Sequence, residues 1–253
     1  MCRHLAYMGK TTSLYKLLLN KKHSLVDMAF KPKEMENAKL NADGFGIAWE
    51  LNSDLFLYKN TFPIWNDANL LSLTKNISSN LVIANVRSAT NAYDISYNNT
   101  HPFQYKNFIF SHNGYIKDFN NFCKKKIIEY IDNSLLMKIR GDTDSEYIFF
   151  LFIHIFNEVN NVVKAIKMTL EFLKENCKQA MLNFLLAQIS DNKTNLFATR
   201  YAIKEESPSL YFNLQNKKDI YICSERMDDN KWIKVKNSSL LKYKDYSLDI
   251  YSL

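Results

Sequence analysis

The chain has 253 residues, 47% hydrophobic and 14% aromatic, enough to bury a substantial core and too apolar for a disordered protein. Its formal net charge of +7 comes from scattered lysines, and no nucleic-acid motif accompanies them. The charge therefore reads as solvated faces, and nucleic acid is not an expected partner. The longest apolar run, Ile148 to Phe156, is interrupted by His154 and is too short to cross a bilayer. No basic-then-apolar secretion signal opens the chain, so a cytoplasmic location without membrane contact is expected.

Residues 2–8 read as a short buried strand, and they begin on Cys2. A small side chain after Met1 suits methionine aminopeptidase, and its action would leave a thiol and a free α-amine on one residue. An α-amine has a pKa of about 7.7–8.0, so near neutrality part of it is free to act as a base. Nucleophile and base then arrive together. An arbitrary, frayed chain start is the plainer reading of Cys2 taken alone.

Ser13 to Leu19 is a candidate helix behind a Thr-Ser cap. Phe45 to Leu51 and Leu55 to Tyr58 form a hairpin across Asn52-Ser53-Asp54. Asp67 to Ile77 has helical spacing, whereas Leu81 to Val86 and Phe108 to Ser111 are apolar runs that read as central strands. Two long helices follow, over 143–157 and 161–176. The remainder is β-rich: Met181 to Ile189, Asn195 to Ile203, Ser209 to Phe212, Asp219 to Cys223, and a closing pair near 239–251. No Pro/Gly/Ser linker divides the chain, so one domain with sheets inside and helices outside is expected. Cys123, Cys177 and Cys223 read as buried thiols, with no disulfide framework and no zinc site.

Only five glycines and five arginines occur, so each one kept is more informative than usual. Ser111-His112-Asn113-Gly114 ends the second central strand. A strand that turns out of the sheet at Asn-Gly exposes the Gly114 N–H beside the Asn113 amide, two donors suited to an oxyanion. An ordinary Asn-Gly turn explains the same residues. Arg87 stands just past the first central strand, where its planar fork suits a substrate carboxylate or a structural ion pair. In Gly141-Asp142-Thr143-Asp144-Ser145-Glu146, Thr143 and Glu146 have capping-box spacing, leaving Asp142 and Asp144 as candidate partners for an ammonium group. His101 alone reads as a hydrogen-bonded core residue.

Taken together, M-C-R-H-L, N-A-D-G-F-G-I-A-W, P-I-W-N, V-R-S-A-T, H-P-F, H-N-G and G-D-T-D-S-E resemble the class II (N-terminal nucleophile) glutamine amidotransferase family. The resemblance runs from Cys2 to about Glu146, with later echoes at Leu182-Asn183-Phe184, Thr199-Arg200-Tyr201 and Ser224-Glu225. It is greatest to the stand-alone branch holding the γ-glutamyl amidohydrolases of ergothioneine synthesis and fungal glutathione breakdown.

This resemblance implies an α+β fold, a four-layer α/β/β/α sandwich, as a single domain over 2–253 with Met1 removed. It implies Cys2 as nucleophile, its α-amine as base, and Asn113 with the Gly114 N–H as oxyanion hole. Arg87 would bind the α-carboxylate of a glutamyl group and Asp144 its ammonium, with Thr90, Thr143, His101 and Trp65 lining the pocket. Asn85 replaces a His of many relatives, and Ser88 and Asn91 also depart from the synthetase-linked members, which alters the pocket wall. The expected reaction is hydrolysis of a γ-glutamyl amide through a Cys2 thioester, with no cofactor and no metal. Two alternatives stand beside it: a glutaminase subunit feeding ammonia to a synthetase, or a catalytically silent binding protein. A synthetase or peptidase partner chain is compatible with the sequence.

Overall fold

Alternation of side chains across two stacked sheets organises the molecule. A computed structural model describes residues 1–35, 40–89, 94–190, 193–216 and 218–253. The strands are β1 Arg3–Ser13, β2 Phe45–Leu51, β3 Asp54–Asn60, β4 Ser78–Val86, β5 Phe103–Tyr105, β6 Phe108–Ile116 and β7 Ala180–Ser190. Then come β8 Lys193–Arg200, β9 Ala202–Ile203, β10 Tyr211–Gln215, β11 Asp219–Cys223, β12 Ile233–Lys234, β13 Ser239–Lys244 and β14 Ser247–Ser252. The helices are α1 Leu14–Leu18, α2 Leu25–Phe30, α3 Leu70–Asn76, α4 Cys123–Tyr130, α5 Asn133–Leu136, α6 Asp144–Val159 and α7 Val162–Asn176.

One sheet has the order β12-β10-β11-β1-β4-β2-β3, and the other β14-β13-β8-β7-β6-β5 with β9 on β7. On β1, Leu5 and Tyr7 pack with α1 and α2 residues such as Leu17 and Met28, whereas Ala6 points into the space between sheets. On β6, Phe110 joins the α6 residues Phe149 and Phe152, whereas Ile109 faces the sheet interface. Both faces of each central strand are thus apolar, as expected for strands covered on both sides. Helices, sheet, sheet and helices give the four layers expected from the sequence.

Local chemistry explains several elements. Ser13 and Asn161 cap α1 and α7. The β2–β3 hairpin turns on Asn52 and Ser53, both at positive φ, as a two-residue primed turn requires. The helix α2, absent from the sequence reading, opens with a reciprocal capping box between Ser24 and Asp27.

Three expectations are corrected. β6 does not leave the sheet at Asn113-Gly114 but continues to Ile116, with Gly114 opposite Leu182 of β7. Gly114 answers to close packing instead, since a Cβ there would collide with the Met181 carbonyl and the His112 ring. Only half of the second capping box forms: Thr143 caps Glu146, but the Glu146 carboxylate turns to the N–H groups of Arg140 and Gly141. Cys123 and Cys177 are not separate thiols but a disulfide, with Cα atoms 5.4 Å apart, tying the start of α4 to the end of α7.

Candidate active site

The same alternation that buries Ala6 turns His4 and Cys2 toward the space between the sheets. Arg3 pairs with Val86 and His4 with Asn85, so the antiparallel register carries Cys2 to the level of Arg87. The Cys2 thiol is buried, with Sγ 3.8 Å from the Ser88 carbonyl oxygen.

At this end the inter-sheet layer changes from apolar to polar. The Asn85 amide donates to the Ser111 hydroxyl at 3.1 Å, and His4 Nδ1 lies 3.5 Å from the same oxygen. Ser224 accepts from the His4 backbone N–H at 3.0 Å and from the Asn113 amide at 3.5 Å. Through Ser224 the predicted oxyanion donor of one sheet is tied to the strand that follows Cys2 in the other. Burial, with help from the His112 and Arg3 charges, pushes His4 down to about 3, so its ring is neutral.

Arg3 supports Cys2 from behind. Its Nη1 donates to the Cys2 carbonyl at 3.0 Å and its Nε to Glu225 at 2.7 Å, with both side chains buried. The other Glu225 oxygen meets His23 Nε2 at 2.7 Å, and the Lys33 and Glu34 N–H groups donate to the same carboxylate. Burial alone would raise the Glu225 pKa; the bonds from His23 and Lys33, the Arg3 charge and the Glu34 bond overcome it, holding the group at about 2.

Arg87 is 3% exposed and makes no ion pair among the described residues; its Nη1 reaches only the Asp94 carbonyl at 3.3 Å. Its backbone is fixed by N–H donation to the Gly44 carbonyl, and Asp43 accepts from the Ala89 N–H at 2.7 Å. The structural ion pair that the sequence allowed is therefore absent among the described residues. A buried guanidinium is costly unless a carboxylate or another anion meets it.

His101 is buried as well, and neither ring nitrogen has a partner among the described residues. Burial and the charges of His112, Arg87, Lys59 and His4 hold its pKa well below the usual histidine value. Among the described residues it thus lacks the hydrogen bonds expected of it from the sequence. Asp144, the first residue of α6, is buried and accepts from the Ile116 N–H at 2.7 Å and the Ser145 hydroxyl at 3.1 Å. Its charge raises His112 against the larger lowering by burial. Asp142 is exposed and accepts from the Asn99 amide at 2.7 Å, and that amide also donates to the Asp94 carbonyl that Arg87 reaches. Thr143 is buried and occupied with its cap bond. Trp65 lies in a 3-10 turn against Phe30, and Thr90 falls outside the described residues.

Cys2, Arg87, Asn113, Gly114, His101 and Asp144 thus converge on one end of the sandwich. Sequence reasoning missed Arg3, His4, Ser111 and the Glu225 anchor. Polar residues at alternate positions of apolar strands were the available signal. Among the described residues no group of three His, Cys, Asp or Glu side chains is placed to hold a metal ion.

Met1 is attached to the Cys2 nitrogen. Burial lowers the pKa of its terminal amine, with smaller opposing effects from Cys2 and Asp43 and a lowering one from Arg3.

Comparison with known proteins agrees with this architecture. The family model described as glutamine amidotransferases class-II matches residues 16–250. A probable glutamine amidotransferase of Saccharomyces cerevisiae, DUG3, is 32% identical over 247 residues, covering 84% of this chain and 68% of the yeast protein. The γ-glutamyl-hercynylcysteine sulfoxide hydrolase of Mycolicibacterium smegmatis is 32% identical over 117 residues, 46% of this chain and 52% of that one. A solved glutamine aminotransferase class-II domain protein from Silicibacter pomeroyi shares the fold, with a TM-score of 0.70 at 22% identity over 99% of both chains. The chain belongs to the class-II glutamine amidotransferases.

Proposed function

We propose that the protein hydrolyses γ-glutamyl amides through a thioester on Cys2, as one amidotransferase domain over 2–253. The reading rests on one observation above the others: a buried thiol stands in register with a buried arginine that has no carboxylate of its own among the described residues. A glutamyl substrate supplies that carboxylate. With Met1 removed, the Cys2 amine takes the thiol proton and the thiolate attacks the γ-carbonyl. Negative charge collects on the carbonyl oxygen, where the Asn113 amide and the Gly114 N–H receive it. The tetrahedral intermediate expels the amine, which leaves with the proton held on the Cys2 nitrogen. Water, deprotonated by the same nitrogen, then cleaves the thioester to glutamate and free thiol.

Asp144 receives the substrate ammonium beside the Arg87 carboxylate site, with His101 and Thr143 completing the described part of the pocket. His4 is neutral and buried, and acts as a strut for the strand that carries Cys2. No step needs a metal or an organic cofactor.

The shape of the molecule bears on the leaving group. The Cys2 nitrogen must hand its proton to the departing amine, and we place that amine in the cleft that Met1 lines until it is removed. That cleft is about 430 Å³ and is also walled by Glu34, Met181, Arg200 and Glu205. Ammonia needs far less room, which favours a γ-glutamyl conjugate over free glutamine. The relatives named as a γ-glutamyl conjugate hydrolase point the same way. A panel of γ-glutamyl amides tests this: kcat/KM higher for amino-acid or peptide conjugates than for glutamine is expected. Preference for glutamine would sink the conjugate reading.

A further inference from the structure

A second cleft opens at the opposite end of the β7–β8 pair from Asn183 and Arg200. Gln188 and Asn195, which pair across β7 and β8, lie at its end. Five residues of strand separate Gln188 from Asn183, a displacement of about 17 Å. The cleft has a volume of about 570 Å³, within the range of small-molecule sites.

Its walls carry one sign of charge. Lys164 and Lys167 come from one turn of α7, and Lys242 and Lys244 from the same face of β13. Although the chain has 26 Asp and Glu residues, none lines the cleft. Asp249 meets Lys242 from outside at 3.9 Å, leaving the other three lysines without an ion pair among the described residues. Four lysines around one cleft favour an anion between them.

The remaining lining has another character. Phe156, Phe197 and Met168 give an apolar floor. Tyr251 offers an aromatic face at the side, with Lys167 Nζ 5.8 Å from its centroid. At the end, the Asn195 Oδ1 is buried and accepts no hydrogen bond among the described residues. Cations, an aromatic face and a buried acceptor suit phosphates, a flat heterocycle and its N–H edge in turn.

We propose that this cleft binds a nucleoside polyphosphate, with the phosphates between Lys164/Lys167 and Lys242/Lys244 and the base on the Tyr251 side. Calorimetric titration of the full chain with ATP and with pyrophosphate tests it. ATP should bind more tightly than pyrophosphate, and its affinity should fall with added salt. Lys164→Glu/Lys242→Glu, on opposite walls, should weaken ATP about tenfold or more. Lys167→Glu alone, at an exposed position, provides a second readout should the double variant fold poorly. Melting temperature and γ-glutamyl hydrolysis should not change in Lys167→Glu. No ATP binding at millimolar concentration, or binding that survives these substitutions, overturns the proposal. Pyrophosphate binding as tightly as ATP removes the base site from it.

Discussion

Arg3 donates from Nε to the Glu225 carboxylate at 2.7 Å, wholly buried, across 222 residues of chain. The same guanidinium holds the Cys2 carbonyl, and the same carboxylate holds the backbone at Lys33 and Glu34. One ion pair therefore fixes both the strand that follows Cys2 and a segment lining the cleft beside Met1.

Breaking that pair leaves an uncompensated charge in the core. Glu225→Gln should lose about 3–5 kcal/mol of stability, a drop in melting temperature of about 10 °C for a chain of this size. Adding Arg3→Met removes the stranded charge, so the double variant should melt above the single one. Thermal denaturation of the two proteins decides the point; an unchanged melting temperature in Glu225→Gln contradicts the role given to the pair.

Acid should weaken the fold in two stages. His4 is held down to about 3 by burial and is charged more readily in the unfolded chain, so its contribution is complete above about pH 6.5 and is lost as pH falls toward 3. His101 is lowered for the same reason and acts in the same direction. Glu225 adds a second loss between its ordinary range and about 2. Chemical denaturation as a function of pH should show stability falling already between pH 6.5 and 5. A flat profile there contradicts the neutral, buried state of these histidines.

Arg87→Met should reduce kcat/KM for γ-glutamyl substrates about a hundredfold or more, because a buried charge-assisted contact to the carboxylate is lost. An analogue lacking the α-carboxylate should be handled equally poorly by both proteins. Steady-state kinetics on the paired substrates checks this, and equal losses for both substrates would place Arg87 elsewhere in the mechanism.

Asn113→Ala removes one oxyanion donor and should lower kcat about 10²–10³-fold. Binding of a product such as glutamate, followed by calorimetry, should persist. Full turnover in this variant rules Asn113 out of the oxyanion hole.

Much of this architecture was legible in the chain. Runs such as Leu81 to Val86 announced central strands, and the Thr143 cap announced α6. The grouping of Cys2, Arg87 and Asn113 was implied only by the family resemblance that the ordered motifs carry. What was not legible depends on pairs far apart in sequence. Arg3 was one of only five arginines, yet nothing local names Glu225 as its partner. Asn113-Gly114 imitated a turn because Asn-Gly is a turn signal, whereas the real demand on Gly114 comes from the Met181 backbone of the neighbouring strand. Cys123 and Cys177 are 54 residues apart and meet only when α4 and α7 pack. The short helix α2 was visible in Ser24 and Asp27, but six residues give too little periodicity to be read.

The central claim is that Cys2, freed of Met1, attacks a γ-glutamyl carbonyl. Intact-mass analysis of the purified protein before and after treatment with an electrophilic glutamine analogue tests it directly. The expected result is a mature mass lacking Met1 and a single adduct that peptide mapping assigns to Cys2, with hydrolysis abolished. An active protein that retains Met1, or an inactivating adduct on another residue, would contradict the account.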